Sequence, residues 1–479
     1  MRRLAHVMLV LLAPAASWGA FCTHDVAPAA TLLVPYIAVD MEGNVPDPSG
    51  AATLLRVTNT AADATRIQLT VWSADGQAVI GLTQVLSGYD MWTINFRDLL
   101  TGNWAAFDTS RAGSAPPNVD LSPPVMVRKT FEWGPDGRSP FDYPPIPAPY
   151  NIPYPSGLPA PERTTVILET GCSMPYGNTT GAQYAPLIVA ALQAPLRARS
   201  HAGCGSFPVL RHTGDWLTTA GADPLVFYAT VDLVSACSAG SGADPAYVTN
   251  VLADRNVLIG DVLYVDGPRG TLGAIPAVHI EADGAAAAGV PGLYQVPSGV
   301  EDRREALPTA FAVRYERPSD EGEGGFSRSS SLMLWKTSSE LSGLDTVEDC
   351  GHYMYYAWDE DEHVVTRGCS DCMGTFDFDP NLFPYRTQLV PLDVANFDLP
   401  ASSGWILLLL PPSYAGFSED PTPGPARPSG IEGVAAVRHE VTLPGGLGSA
   451  WTPASVMGNA YCDGGPRNPA IPRRRLTRP

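Results

Sequence analysis

The chain has 479 residues, of which 45% are hydrophobic and 16% charged, with 46 glycines, 47 prolines and a formal net charge of −19. That length exceeds a single core, and the turn-rich composition favours short strands over long charged helices. The acidic balance opposes nucleic acid and anionic membranes as partners, because phosphate binding needs clustered Lys and Arg.

At the N-terminus, Arg2 and Arg3 precede an apolar run from Leu4 to Ala16, and small residues follow at Ser17, Gly19 and Ala20. This is the pattern of a secretory signal peptide over residues 1–20, so a secreted, periplasmic or cell-surface protein is expected. The run is too short to span a bilayer and Pro14 interrupts it. No other segment reads as transmembrane; GWILLLLPP at 404–412 has the length of a strand. Only Lys129 and Lys336 are lysines, so 28 of the 30 basic residues are arginines, a coding bias of the GC-rich bacterial kind.

Residues 21–112 read as an N-terminal β-sandwich module. In TRIQLTVWSADGQAVI, Ile67, Leu69 and Val71 alternate with Arg66, Gln68 and Thr70, and Asp75-Gly76 supplies a tight hairpin turn. YDMWTINFRDLL repeats the alternation with Trp92, Ile94 and Phe96 inward, while TLLVPYIAVD and ATLLRVTNT add strands; the pattern is that of a half-buried antiparallel sheet. Residues 113–163 form a spacer, with 14 prolines in the 46 residues from Pro116 to Pro161. Proline lacks a backbone donor, so extended polyproline-like chain is expected there.

Residues 164–306 form a mixed middle region. APLIVAALQA predicts a short helix, and Asp244-Pro245 predicts a second, with Asp as cap and Pro in the first turn. PLVFYATVDLV, NVLIGDVLYVDG and AVHIEA predict strands. Residues 307–464 return to strands as a C-terminal β-sandwich module, before a basic tail at 465–479. The fold class is thus mainly all-β: tandem antiparallel β-sandwich modules with a few short helices in the middle region.

Four segments recur in order. TLLVPY at 31–36 matches TAFAVRY at 309–315, and LLRVTNT at 54–60 matches LMLWKTS at 332–338. VWSADGQAV at 71–79 matches AWDEDEHVV at 357–365, and INFRDL at 94–99 matches ANFDLP at 395–400. The third match puts Trp358 in the place of Trp72 and the acidic run 359–362 on a hairpin turn facing water.

All eight cysteines follow the signal, and an even count in an exported chain reads as a disulfide framework. Cys350, Cys369, Cys372, Cys172, Cys204 and Cys237 are the disulfide candidates, with Cys350 to Cys369 or Cys372 closing the acidic hairpin. Ten carboxylates and one base, Arg367, lie between Asp345 and Asp379. Asp377, Asp379 and Asp361 are therefore calcium candidates, although Leu382 and Gln388 stand where an EF-hand needs Gly and Glu. A redox reading of Cys369 to Cys372 lacks the helix N-terminus that lowers a thiol pKa. A zinc reading of His279 and Glu281 lacks the helix and the Pro-Cys of a deaminase signature. No GxSxG, HExxH, P-loop or dinucleotide-binding glycine run occurs, so no catalytic or cofactor-binding residues are assigned.

TLLVPYIAVD, ATLLRVTNT, YDMWTINFRDLL, and DRNVLIGDVLYVD with VHIEAD resemble phrases found in the same order in a group of secreted bacterial β-rich proteins of unknown function. The resemblance implies an exported, strand-rich protein and names no substrate. The expected function is a non-enzymatic surface or envelope role through an unidentified protein or glycan ligand. The alternative is a secreted hydrolase with an unrecognised carboxylate pair.

Overall fold

The computed structural model describes residues 27–74, 76–103, 126–131, 164–169, 185–186, 188–193, 224–236, 241–242, 244–267, 270–282, 293–294, 302–305, 307–308, 310–318, 327–337, 354–369, 383, 385–397, 399, 401–410, 432–443 and 446–456. These residues form mostly strands arranged in antiparallel sheets.

The first part of the chain contributes β1 (Thr31–Val39), a small hairpin β2 (Met41–Glu42) and β3 (Val45–Pro46), β4 (Ala51–Asn59), β5 (Thr65–Ser73), β6 (Ala78–Leu86) and β7 (Met91–Asn95). Next come β8 (Met126–Phe131), β9 (Thr164–Glu169), β10 (Leu225–Leu233), β11 (Leu258–Asp266), β12 (Thr271–Pro276) and β13 (Val278–Ile280). Apart from the β2–β3 pair, they build two sheets, ordered β13-β1-β10-β5-β6-β9-β8 and β12-β11-β4-β7, antiparallel throughout except between β6 and β9. The middle segment, distinct in its sequence pattern, completes both: β10 lies between β1 and β5, and β11 beside β4. Within the proline-rich stretch 113–163, β8 is the proline-free piece MVRKTF, which can pair along its length with β9.

Alternation sets the core between these sheets. Leu55 and Val57 of β4 meet Ile67, Leu69 and Val71 of β5, and Trp92, Ile94 and Phe96 join them. Each such side chain contributes about 1.5–3 kcal/mol on burial. The inward face of YDMWTINF is as expected, but the strand stops at Asn95. There the Asn95 side chain accepts from the Arg97 amide and starts a helix, Phe96–Thr101, which Gly102 closes in the left-handed conformation. Asp244 likewise caps the helix Pro245–Asn250, with Pro245 in its first turn.

The second sandwich consists of β14 (Ala310–Glu316), β15 (Ser327–Lys336), β16 (Met354–Asp359), β17 (Val364–Cys369), β18 (Thr387–Pro391), β19 (Ser403–Leu409), β20 (Gly433–Leu443), β21 (Gly446–Pro453) and β22 (Ser455–Val456). A short helix, Val394–Phe397, follows β18. Read in the matching direction, its sheets are β22-β14-β19-β16-β17 and β21-β20-β15-β18. These repeat β13-β1-β10-β5-β6 and β12-β11-β4-β7 strand for strand, in the same chain order and with every pair antiparallel.

Register confirms two of the four sequence matches and corrects the others. Trp72 faces Tyr228, and the next residue, Ala229, faces Val34; Trp358 faces Trp405, and the next, Ile406, faces Val313. Both hairpins carry a bulge just before the tryptophan, between Val71 and Trp72 and between Ala357 and Trp358. The match of 54–60 to 332–338 is one residue out. The Thr60 amide donates to the Val257 carbonyl as the Thr337 amide does to Glu432, so 60 corresponds to 337. Leu55 and Val57 then align with Leu332 and Leu334, all four facing a core, whereas a one-residue slip turns every side chain to the other face. The match of 94–99 to 395–400 is five residues out: Ile94 faces Leu55 and Val390 faces Leu332, which pairs Ile94 with Val390.

The two sandwiches stack, so that the outer face of the β1–β10–β5 sheet lies against the β18–β15–β20 sheet. Tyr228 meets Trp335 edge-on at 5.6 Å, and Tyr36 and Val226 pack with Met333, Leu389 and Ala436. The Ala74 carbonyl accepts from the Arg386 and Thr387 amides, and Thr387 Oγ1 donates to the Pro35 carbonyl at 2.5 Å. Trp451 stacks on Tyr264 at 4.5 Å. It also lies where a Cβ on Gly273 would sit, 2.4 Å from its Cδ1, so only glycine allows this approach. The β5 sheet is therefore buried on both faces rather than half-buried. Gln68 and Thr70, polar and read as solvent-facing, are 2% and 1% exposed, on the face that Trp335 and Val434 of the second sandwich and Leu293, Tyr294 and Leu307 cover.

Candidate functional site

Three places bring chemistry-bearing side chains together. The first is the acidic hairpin between β16 and β17. Asp359 accepts from the Asp361 and His363 amides and holds the turn, with Glu362 in the left-handed region at φ 64°. Those bonds, led by the His363 amide, lower the Asp359 pKa. Glu360, Asp361 and Glu362 point to water, as the repeat predicted. Asp359, Asp361 and His363 offer three ligand atoms within 4.8 Å of one another. Asp377 and Asp379, the other calcium candidates, lie outside the described residues. So do Cys172, Cys204, Cys237, Cys350 and Cys372, while the backbone of Cys369 ends β17 opposite Met354. His279, set aside as a zinc ligand, accepts through Nε2 from the Gly260 amide at 3.1 Å, between the two sheets of the first sandwich.

The second place is a buried polar network that the sequence did not disclose. Asp232 of β10 is fully buried. Its Oδ1 accepts from Thr31 Oγ1 at 2.7 Å, its Oδ2 accepts from the Tyr247 hydroxyl at 3.0 Å, and the Tyr294 hydroxyl bridges both oxygens at 2.7 and 2.6 Å. Arg304, 2% exposed, donates through Nε to Thr31 Oγ1 and through its own backbone amide to Asp302 Oδ1. Burial pushes the Asp232 and Asp302 carboxyls up, against the opposing pull of Arg304 and the surrounding donors. Burial and the Asp232 charge push both tyrosines well above their ordinary value. The guanidinium cannot lose its proton, so the anions around it are its counter-charge. With three hydroxyls bonded to it, the fully buried Asp232 shows no approach for a substrate among the described residues; the arrangement ties β1, β10 and the 245–250 helix to Tyr294, Asp302 and Arg304.

The third place is the outer face of the β17–β16–β19–β14 sheet. Its inner side chains, Phe311, Val313, Tyr355, Ala357, Ile406 and Leu408, fill the second core. Pleating turns their neighbours outward, where ladder partners line up in a row across four strands: Arg314, Trp405, Trp358 and Val364. Trp405 is 42% exposed and Val364 56%. Tyr356 lies beside Trp358 with ring centroids 6.0 Å apart, and Arg314 donates to Glu360 at 2.8 Å along one margin. Trp358 and Trp405 occupy the places of Trp72 and Tyr228. In the first sandwich those two rings stack at 5.9 Å and are 3% and 2% exposed under the second. The same face is covered in one sandwich and open in the other.

No protein-family model matches the chain, and no curated protein does. Among solved structures, the α-L-rhamnosidase of Streptomyces avermitilis complexed with L-rhamnose is similar at 11% identity and a TM-score of 0.15. That alignment covers 90% of this chain and 29% of the other, so the chain spans less than a third of the length of the structure it matches. A likeness of that size bears on neither fold nor function.

Proposed function

We propose that this is an exported, non-enzymatic protein that binds a partner through the open aromatic face of its second sandwich. The observation that carries the reading is the row Arg314, Trp405, Trp358 and Val364, which leaves indole surface in water on a regular, well-packed sheet. Large exposed aromatics on a rigid scaffold are the usual anchors of recognition. The perturbed carboxyls Asp232 and Asp302 support the same reading, because they are committed to holding strands together under cover. The signal-like N-terminus supports export.

Screening the mature protein on glycan and protein arrays, beside Trp405→Ala, tests this. The expected result is a ligand captured by the wild type and lost in the variant, with the melting temperature unchanged. Hydrolysis of a polysaccharide or protein that survives Trp405→Ala would replace the reading with the hydrolase alternative. Export is tested by the N-terminal mass of protein recovered outside the cytoplasm, expected to start near residue 20.

A further inference from the structure

We propose that the first sandwich closes only from its far end: β1, β4 and β5 stay unformed until β10 and β11 join them, and Arg304 then locks the result. The delay itself is read from topology; the role given to it below rests on the export reading.

Each of these three strands has both flanks filled, so its sheet neighbours are complete. β1 lies between β10 and β13, β4 between β11 and β7, and β5 between β10 and β6. In every case at least one neighbour begins at Leu225 or later, and for β1 both do. Residues 27–103 can pair among themselves only as the two-stranded pieces β2–β3, β4–β7 and β5–β6. A lone pair of strands is marginally stable in water. β9 and β8 extend the outer edge of β6 and leave β1 detached. The second sandwich has no such gap to bridge, since all its strand pairs join within residues 310–456.

The core repeats the dependence. Phe227, Ala229 and Val231 of β10 and Leu258 and Val262 of β11 enter the core between the sheets, and Phe96 meets Phe227 edge-on at 5.7 Å. On its other face β10 carries Tyr228, which meets Trp335, and Asp232, which accepts from Thr31 Oγ1. Arg304 donates through Nε to the same Thr31 hydroxyl, across 273 residues of sequence. The competing arrangement packs β4–β7 directly on β5–β6. It would leave the inner edges of β4 and β5 unpaired and Phe96 without Phe227, so the gain waits on closing the long loop to β10. Domains otherwise fold from the N-terminus as the chain emerges. A first module that cannot close before residue 304 has appeared keeps the chain extended, the state in which a secretory channel passes it.

Pulse-labelled hydrogen exchange during refolding of the full chain from denaturant, read by mass spectrometry, tests the proposal. Peptides from 51–95 are expected to gain protection with the same rate constant as those from 225–233 and 258–266. Val231→Ala, within β10, should slow both sets together by about threefold or more. Protection of 51–95 ahead of 225–266 would overturn the proposal, because β4–β7 and β5–β6 would then fold on each other first. So would 51–95 keeping its wild-type rate in Val231→Ala while 225–233 slows. If Val231→Ala yields too little folded protein, the wild-type time course decides by itself. None of these readouts uses the leader, whose removal the N-terminal mass tests separately, so a failed export reading and a failed interlock are distinguishable.

Discussion

The hairpins β5–β6 and β16–β17 share a bulge, a tryptophan at the same rung and a turn closed by the same pair of backbone bonds. The Ser73 amide donates to Gln77 and the Gly76 amide to Ser73; the Asp359 amide donates to His363 and the Glu362 amide to Asp359. Their surroundings differ completely. The first turn is pressed against the second sandwich, where a Cβ on Gly76 would meet Arg386 Nε at 2.3 Å. The second turn is acidic and stands in water, and its tryptophan lies on an open face. One backbone plan thus serves as an internal joint in one copy and as free surface in the other, and side-chain choice at matching rungs decides which.

The largest effect is expected where the first sandwich has a device that the second lacks. Arg304→Ala leaves Asp232 and Asp302 buried without their counter-charge and should cost about 3–5 kcal/mol in denaturant unfolding. Leu409→Ala, at the second sandwich's equivalent of Asp232, should cost well below that, because Leu409 is only half-buried. If the two costs are equal, the network is not what sets the copies apart.

Trp72→Ala and Trp358→Ala sharpen the same contrast. The buried ring should cost about 3–5 kcal/mol, and the half-exposed one about 1 kcal/mol or less when measured on monomer. The turns come next. Gly76→Ala forces a side chain into φ 96° and against Arg386 and should cost about 1–2 kcal/mol. Glu362→Gly relieves a non-glycine residue at φ 64° and should raise stability by up to about 1 kcal/mol.

The smallest expected effect is in pH. The folded-state carboxyls of Asp232 and Asp302 lie above their ordinary value of 3.8, so in the window above 3.8 the folded chain holds protons that the unfolded chain has released. Their contribution to stability therefore falls as pH rises through that window, opposite to a carboxylate whose pKa is lowered on folding, which loses its contribution as pH falls. Asp232→Asn should flatten that part of the stability profile, and an unchanged slope would count against a raised Asp232 pKa.

Much of the fold was legible because alternation and turn chemistry are local. Asp75-Gly76 marked the first hairpin, Asp244-Pro245 marked its helix, and GWILLLL marked β19. Strands β12 and β21 were not marked, since TLGAIP and GLGSAWTP carry the Gly and Pro that usually end strands. The double burial of β5 was hidden because its cover comes from Leu293, Tyr294, Leu307 and Trp335, hundreds of residues away. The polar network was hidden for the same reason: Thr31 and Arg304 are 273 residues apart, and no spacing signals their meeting. The repeat was visible in two phrases, one in β1 and β14 and one across the β5–β6 and β16–β17 hairpins. Only hydrogen-bond register could correct the other two, one of them a slip of one residue, which leaves hydrophobic composition almost unchanged while reversing the faces.

Hydroxyl-radical footprinting, read by mass spectrometry on protein dilute enough to sediment as a monomer, tests the central contrast most directly. Trp358 and Trp405 should oxidise readily while Trp72 and Tyr228 stay protected. Comparable oxidation of all four, or protection of Trp405 together with Trp72, would contradict a face that is closed in the first sandwich and open in the second.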